Sequence, residues 1–235
     1  MTDLPVLDWR PNHRPESRNY PMATALPRQA KARRSKQYKV GARTDQGAEG
    51  ACVGHAWTAE ALAEPTPVDL DRLRIHAPRT PDEFARFIYG MARYLDEWRG
   101  EDYEGTSTNA GAKAMHNAGL LKEWRWCFNG ATEVADTIAW KSPVVLGIPW
   151  YESMYEAPAG VVQVGGQIVG GHCIFASGVT VNSPRLNGAT SITLTNSWGE
   201  DWGINGQAEI ELETLGRLLR QDGEACVPVR RSYGR

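Results

Sequence analysis

The stretch NSWGEDWGING, residues 196–206, follows a short β-branched run, SITLT, and places an amide beside large aromatic side chains. Asn196 stands at the end of the predicted strand, where its amide can hold a histidine ring through a hydrogen bond. Trp198, two residues later, can cover that bond and keep water away from it. A nucleophilic thiol needs a base, and the base needs a group that orients it; Asn196 is a candidate for the orienting group.

His172 is the histidine that suits this role. It begins an apolar run, HCIFASG, directly after Gly170 and Gly171, and the two glycines leave one side of its ring open. A lone histidine at a strand start is more often structural, so its position alone does not decide the matter. The other candidates are His13, His55, His76 and His116; we interpret His55 as cleft wall or packing, and His76 and His116 as surface or loop residues.

Cys52 lies in QGAEGACVGHAW, residues 46–57, where a helix is predicted to begin after Gly50 and Ala51. The unpaired N–H groups and the dipole of a helix start favour an anion, which lowers the pKa of a thiol and makes it nucleophilic. A buried filler, half of a disulfide and a metal ligand are the alternatives. No CxxC pair or HExxH motif completes a metal site around Cys52 and His55, so we expect neither a metal nor a cofactor.

The chain has 235 residues, 41% of them hydrophobic, and a net charge of −2. This length suits one large domain or two small lobes, and the charge favours neither nucleic acid nor membrane as a partner. Six basic residues between positions 28 and 39 are interpreted as a solvated loop, with a nucleic-acid patch as the weaker alternative. The start of the chain does not resemble a secretory signal. We expect a soluble, cytoplasmic monomer.

Sequence patterns separate helices from strands along the chain. Periodicity and capping residues predict helices over 51–64, 81–99, 108–117 and 213–220. After about residue 140, short β-branched runs predict strands, namely VVLGIPW, GVVQVGGQIVG, HCIFASGVTV, SITLTNSW and QAEIELE. We therefore predict an α+β protein. It comprises a Pro- and Arg-rich extension over 1–44, a mainly helical lobe over 45–135 and a mainly β lobe over 136–235.

Three segments together resemble the papain family of cysteine peptidases. These are QGAEGACVGHAW, GGHCIFASG and NSWGEDWGING, and the last, with two Trp-Gly pairs in register, is the most specific. The resemblance implies a helical lobe and an antiparallel β-barrel-like lobe with the active site in the cleft between them. The residues around Cys52 are similar to those of bacterial or bacteriophage members of the family. A phage-encoded member would be able to associate with a virion.

The resemblance also implies a role for each matched residue. Cys52 would be the nucleophile, His172 the general base, Asn196 its orienting partner, and the Gln46 side chain a donor to the oxyanion. Cys52 and His172 would rest as thiolate and imidazolium. Gly105 and Gly171 would contact a substrate backbone, and Trp198 would border the site.

The chain departs from the family pattern near the nucleophile and near its N-terminus. Glu49 stands where most relatives have a disulfide cysteine, which agrees with a reducing compartment, and Val53 replaces the usual tryptophan. The spacing of Cys127 and Cys226 leaves their pairing open. LDWR, residues 7–10, resembles the start of a mature domain, and no long helical propeptide is visible.

Three functions are consistent with these residues. A cysteine endopeptidase acting on polypeptides through an acyl-enzyme is the first. The second is a Cys-His-Asn amidase acting on peptidoglycan, because such enzymes share the order of residues. The NSWGxxWG motif argues against it, since this motif is typical of the papain family. A non-catalytic papain-like binding protein, for example a virion component, is the third.

Overall fold

The computed structural model describes residues 4–11, 20–22, 33–73, 80–96, 98 and 103–230. Five α-helices lie in these ranges: α1 (Cys52–Ala61), α2 (Pro81–Leu95), α3 (Thr108–Asn117), α4 (Ala131–Trp140) and α5 (Leu212–Arg220). The strands are β1 (Tyr20–Pro21), β2 (Lys36–Gln37), β3 (Leu121–Trp126), β4 (Val144–Tyr151), β5 (Ile168–Thr180), β6 (Ser191–Thr195), β7 (Gln207–Glu211) and β8 (Glu224–Arg230). The predicted α+β class is confirmed.

Helix α1 is buried along its whole length, because glycines let two other helices approach it closely. A Cβ atom added at Gly54 would lie 2.2 Å from the carbonyl oxygen of Ala85 on α2. One added at Gly111 on α3 would lie 2.2 Å from the Trp57 ring. No larger residue fits at either position without moving a helix, so these contacts fix the helix whose first residue is Cys52.

The strands form one sheet in the order β1-β3-β8-β4-β5-β6-β7, with β2 added along β5. β1 pairs with β3 in parallel, and the other pairings between named strands are antiparallel. On β5, His172 lies opposite Ile148 of β4. Thr195 at the end of β6 lies opposite Phe175 of β5, so the chain leaves β6 close to His172.

Two hydrophobic clusters fill the two sides of the molecule. One lies between the sheet and helices α4 and α5, with Trp150, Ile174 and Trp202 among its members. The other joins α1, α2 and α3 to the opposite face of the sheet through Val145 and Phe175. The predicted boundary between residues 135 and 136 falls inside α4, and the division into lobes at that point stays a prediction.

Several element boundaries differ from the sequence predictions. Helix α2 ends at Leu95, while Arg99, its predicted end, lies outside the described residues; Tyr94, counted in the apolar face, is 64% exposed. Residues 160–166 form no strand, because Gly160 and Gly166 adopt φ values of 71° and 80°. Helix α4 and strands β3 and β8 were not predicted, although the alternation in LKEWRW is typical of a half-buried strand.

A buried ion pair joins α1 to the end of β8. Arg230 Nε lies 2.7 Å from Glu60 Oε1, and Arg230 Nη1 donates to the Ala61 carbonyl at 3.0 Å. The Glu60 side chain is 1% exposed, so loss of the guanidinium would leave a carboxylate buried without its ion-pair partner.

We therefore expect Arg230→Ala to lower the free energy of unfolding by about 3 kcal/mol or more. Urea denaturation followed by tryptophan fluorescence measures the change. Arg72→Ala is the matched control, because Arg72 makes an exposed pair with Asp69 and such pairs contribute less than about 1 kcal/mol. Equal effects of the two substitutions would contradict a stabilising role for the buried pair.

Candidate active site

Cys52, His172 and Asn196 reach the same region from three different elements. Cys52 is the first residue of α1, where backbone N–H groups lack partners within the helix. His172 lies on β5, and Asn196 follows β6. The backbone N–H of Cys173, the residue after His172, donates toward the Cys52 sulfur. The thiol therefore faces the strand that carries the histidine.

Asn196 fixes both the orientation and the tautomer of His172. Its Oδ1 accepts the backbone N–H of Ser197 at 2.8 Å, which identifies this atom as the amide oxygen, since a backbone nitrogen can only donate. The same oxygen lies 2.8 Å from His172 Nε2, so Nε2 carries the proton. His172 Nδ1 has no hydrogen-bond partner in the described part of the chain, and in this neutral tautomer it is the basic nitrogen.

Two tryptophans pack against the His172 ring. The Trp198 ring centroid lies 5.0 Å from that of His172, as expected of a residue that covers the His172–Asn196 bond. Trp150 on β4, which sequence reasoning treated only as part of a strand, lies closer, at 4.6 Å and edge-on. Trp150 is completely buried. The two indoles also contact each other, with ring centroids 5.3 Å apart, so they form one apolar cover that keeps water from the hydrogen bond between His172 and Asn196.

Gln46 is held in place by a residue that the sequence analysis missed. Ser197 Oγ donates to Gln46 Oε1 at 2.6 Å, and the Ser197 carbonyl accepts the backbone N–H of Gln46 at 2.9 Å. The side-chain amide therefore points its Nε2 donors away from Ser197. They reach the carbonyl oxygens of Glu49 at 2.8 Å and Val6 at 3.4 Å. Ser197 and Asn196 are adjacent, so one turn of chain positions both groups.

The chain's own N-terminal part occupies the space beside these residues. We call residues 6–10 the cleft segment. Its Trp9 N–H donates to the Gly171 carbonyl at 3.0 Å, and its Arg10 N–H donates to the Thr106 carbonyl at 3.3 Å. The interpretation of LDWR as the start of a mature domain stays a prediction; the segment lies between Gly171 of β5 and Thr106, and β1 joins the sheet beside β3.

Both glycines predicted to contact substrate backbone contact the cleft segment. A Cβ atom at Gly105 would lie 1.5 Å from the Asp8 carbonyl oxygen, and one at Gly171 would lie 2.3 Å from that of Trp9. The backbone hydrogen bond expected of Gly105 is made by the next residue, Thr106. Their role toward a substrate stays a prediction.

Solved structures with the same arrangement of elements are cysteine proteases. Xylellain, a cysteine protease from Xylella fastidiosa, superposes with a TM-score of 0.65 and 16% identity over 97% of each chain. The chain has the papain-like fold. Digestive procathepsin L 3 of Tenebrio molitor matches at a TM-score of 0.57 and 15% identity, over 90% of this chain and 76% of that one.

Bromelain from Ananas comosus, solved with the E64 inhibitor, matches this papain-like chain at a TM-score of 0.55 and 14% identity. The match covers 83% of this chain and all of bromelain. No family model and no curated protein matches the sequence. The likeness to these proteins therefore lies in the fold and not in the overall sequence.

Burial determines the protonation states in this papain-like cleft. Burial raises the pKa of the Cys52 thiol to about 12; the N–H groups of Cys173 and Val53 oppose this shift, and the negative charge of Asp8 adds to it. Burial lowers the pKa of His172 to about 4, against the hydrogen bond to Asn196. Burial thus opposes the thiolate and imidazolium forms that the resemblance implies, and the resting thiolate–imidazolium pair stays a prediction.

All four cysteines are free thiols, so Cys127 and Cys226 do not form a disulfide. No cluster of three His, Cys, Asp or Glu side chains suited to a metal occurs in the residues that the structure describes. Within the same residues, no helix has the length and apolar character needed to cross a membrane.

His55, one turn after Cys52, is buried with neither ring nitrogen hydrogen-bonded to any described residue. Burial lowers its pKa from 6.5 to about 4, although nearby carboxylates such as Asp82 oppose the shift. Below about pH 6.5 the unfolded chain therefore takes up a proton that the folded chain does not. The free energy of unfolding falls as the pH drops toward 4, for His55 and for His172 alike.

We expect His55→Phe to remove the His55 part of this pH dependence. Between pH 7 and pH 4.5, the variant should lose about 2 kcal/mol less unfolding free energy than the parent chain. Urea denaturation at both pH values measures the difference, and a comparison at pH 8, where the histidines of both states are neutral, separates it from a packing effect. A variant that retains the full loss would show that His55 is not the group responsible.

Proposed function

We propose that the protein is a cysteine peptidase that hydrolyses peptide bonds through Cys52, His172 and Asn196. The observation that carries this proposal is the double hydrogen bond to Asn196 Oδ1. It leaves the basic Nδ1 of His172 without a partner among the described residues. The next residue on the strand, Cys173, donates its backbone N–H toward Cys52 at the start of a buried helix. Acyl transfer from an amide requires a nucleophile, an oriented base and a hydrogen-bond donor to the oxyanion.

In the proposed reaction, His172 Nδ1 takes the thiol proton as the Cys52 sulfur attacks the peptide carbonyl carbon. The carbonyl oxygen becomes an oxyanion, which accepts hydrogen bonds from Gln46 Nε2 and from backbone N–H at the start of α1. The protonated His172 is stabilised by its bond to Asn196, and Ser197 keeps the Gln46 amide aimed at the oxyanion.

Collapse of this intermediate breaks the C–N bond. His172 gives its proton to the leaving amine, and a thioester remains on Cys52. Water then attacks the thioester with His172 as base, which releases the carboxylic acid and restores the thiol.

The contacts of the cleft segment support a polypeptide as the substrate. Carbonyl oxygens of Gly171 and Thr106, on opposite walls, accept backbone N–H groups of an extended chain. Gln46 Nε2 reaches a peptide carbonyl, that of Val6, at 3.4 Å. A cleft with these groups suits a peptide backbone.

We expect Cys52→Ala to abolish cleavage, because no other group of the site can form the thioester. The assay follows casein and fluorogenic peptides at neutral pH, and uses both the full chain and its Trp9→Ala variant because Trp9 occupies the cleft. Cys127→Ala, which removes a thiol outside the cleft, is the matched control and should leave the rate unchanged. Release of peptide stems from cell walls, without cleavage of proteins, would favour the amidase instead.

We expect Gln46→Ala to lower kcat about 10²- to 10³-fold, the usual effect of removing one oxyanion donor. KM should change little, because the bond strengthens only as charge develops on the oxygen. Steady-state kinetics in the Trp9→Ala background measure both constants. Gln163→Ala, at an exposed position, is the control, and a change confined to KM would contradict the assignment.

A further inference from the structure

The imidazole of His172 is held by its own Cβ atom at one end and by a single hydrogen bond at the other. That bond joins Nε2 to Asn196 Oδ1 over 2.8 Å. With these two points fixed, the ring can still turn about the line between them, because the torsion that carries a histidine ring has broad minima. Such a turn swings Nδ1, which has no hydrogen-bond partner in the described part of the chain. Only contacts with the ring itself can fix the direction of Nδ1.

Trp150 contacts this ring because of the register between β4 and β5. His172 lies opposite Ile148, and Trp150 is two residues further along β4. Side chains two apart on a strand point to the same face of the sheet. Trp150 is therefore a diagonal neighbour of His172, at a spacing that aromatic rings can bridge. The residue directly opposite Trp150 is Gly170, which places no side chain on this face.

Trp150 and Trp198 form a corner in which the His172 ring sits. The centroid of the imidazole lies 4.6 Å from that of Trp150 and 5.0 Å from that of Trp198, and the two indoles are 5.3 Å apart. These three similar distances place the centroids in a nearly equilateral triangle, so the indoles meet the imidazole from two different directions. A ring in such a corner cannot turn toward either indole without overlap.

The indole of Trp150 is itself held in place by its surroundings. Trp150 is completely buried, and the ring of Trp202 packs against it with a centroid distance of 6.3 Å. Trp202 in turn donates its indole N–H to the carbonyl of Met154, a buried residue, at 3.2 Å. Side chains in such close-packed surroundings occupy one rotamer, so Trp150 presents a fixed surface to His172.

Stability alone does not explain a tryptophan at position 150. Its Nε1 is buried and has no hydrogen-bond partner among the described residues. A buried donor without a partner lowers stability, and a phenylalanine would fill part of the same space without that cost. The larger indole, however, contacts His172, Trp198 and Trp202 at once. Its presence therefore indicates a role for the ring that a smaller apolar side chain would not fulfil.

We propose that Trp150 is a positioning residue of this site, whose indole limits rotation of the His172 ring and keeps Nδ1 directed toward Cys52. This inference rests on the proposed peptidase function. Trp150 acts through His172 and does not touch the substrate. A displacement of about 1 Å in a reacting group can lower a rate about 10²-fold, so loss of the indole should slow the chemical step and leave substrate binding unchanged.

The first test measures kcat and KM for a fluorogenic peptide in the Trp9→Ala background. Trp150→Leu should lower kcat about 10²-fold with little change in KM. Trp150→Phe keeps a flat ring and should restore most of kcat. Trp124→Leu is the matched control and should leave kcat unchanged, because Trp124 is also buried, at 2% exposure, and its ring packs against His116 in the other hydrophobic cluster.

The second test needs no substrate and uses the full chain. NMR spectra of protein labelled with ¹⁵N at histidine report the tautomer of each imidazole, and His172→Ala identifies the signals of His172. At pH 7.5 the parent chain should show the Nε2–H tautomer alone, and Trp150→Leu should show a mixture of both tautomers. Trp124→Leu should give the parent spectrum for His172. If Trp150→Leu does not fold, Trp150→Phe should show the same change with a smaller amplitude.

The outcomes separate the two proposals. Mixed tautomers in Trp150→Leu, without cleavage of any peptide by parent or variant, would support the role of Trp150 toward His172 and overturn the peptidase function. An unchanged His172 spectrum, with kcat equal to that of the parent, would overturn the role of Trp150 and leave the peptidase function intact. Equal losses of kcat in Trp150→Leu and Trp124→Leu, or a change confined to KM, would also overturn the role of Trp150.

Discussion

A single oxygen atom, Asn196 Oδ1, accepts both the Ser197 N–H and the His172 Nε2–H, and the chemistry of the site depends on this pair of bonds. The first bond identifies the amide oxygen, and the second assigns the imidazole proton to Nε2. Nδ1 is then the only basic ring nitrogen. Trp150 and Trp198 shield this arrangement, which makes the hydrogen bond stronger than it would be in water.

The walls of the cleft suit an extended backbone, because Gly171 and Thr106 present carbonyl acceptors and Gly105 has no Cβ atom. The chain's own residues 6–10 meet that description and add a large buried side chain, Trp9. Burial in the same region raises the pKa of the Cys52 thiol and lowers that of His172.

Sequence reasoning succeeded where the signal was local. Apolar periodicity and caps gave the exact span of α3 and the start of α2, and the three motifs pointed to the papain-like fold. It failed where distant segments meet. The contacts of LDWR join residues far apart in sequence, and no pattern in those four residues encodes them. The pKa shifts of Cys52 and His172 follow from burial, which local motifs do not report. The Ser197–Gln46 hydrogen bond could in principle have been predicted, since Ser197 lies within the NSWG motif.

By itself, the sequence determined the identity and order of the reactive groups: a cysteine at a helix start, a histidine on a strand and an amide at the end of the next strand. These depend on residue type and on spacing along one element, which local backbone geometry dictates. Only the tertiary structure decided which tautomer His172 adopts, which side chain holds Gln46 and what fills the cleft. Those outcomes depend on hydrogen bonds and on burial between residues on different elements, 24 positions apart for His172 and Asn196 and 151 for Gln46 and Ser197, and such contacts exist only once the chain has folded.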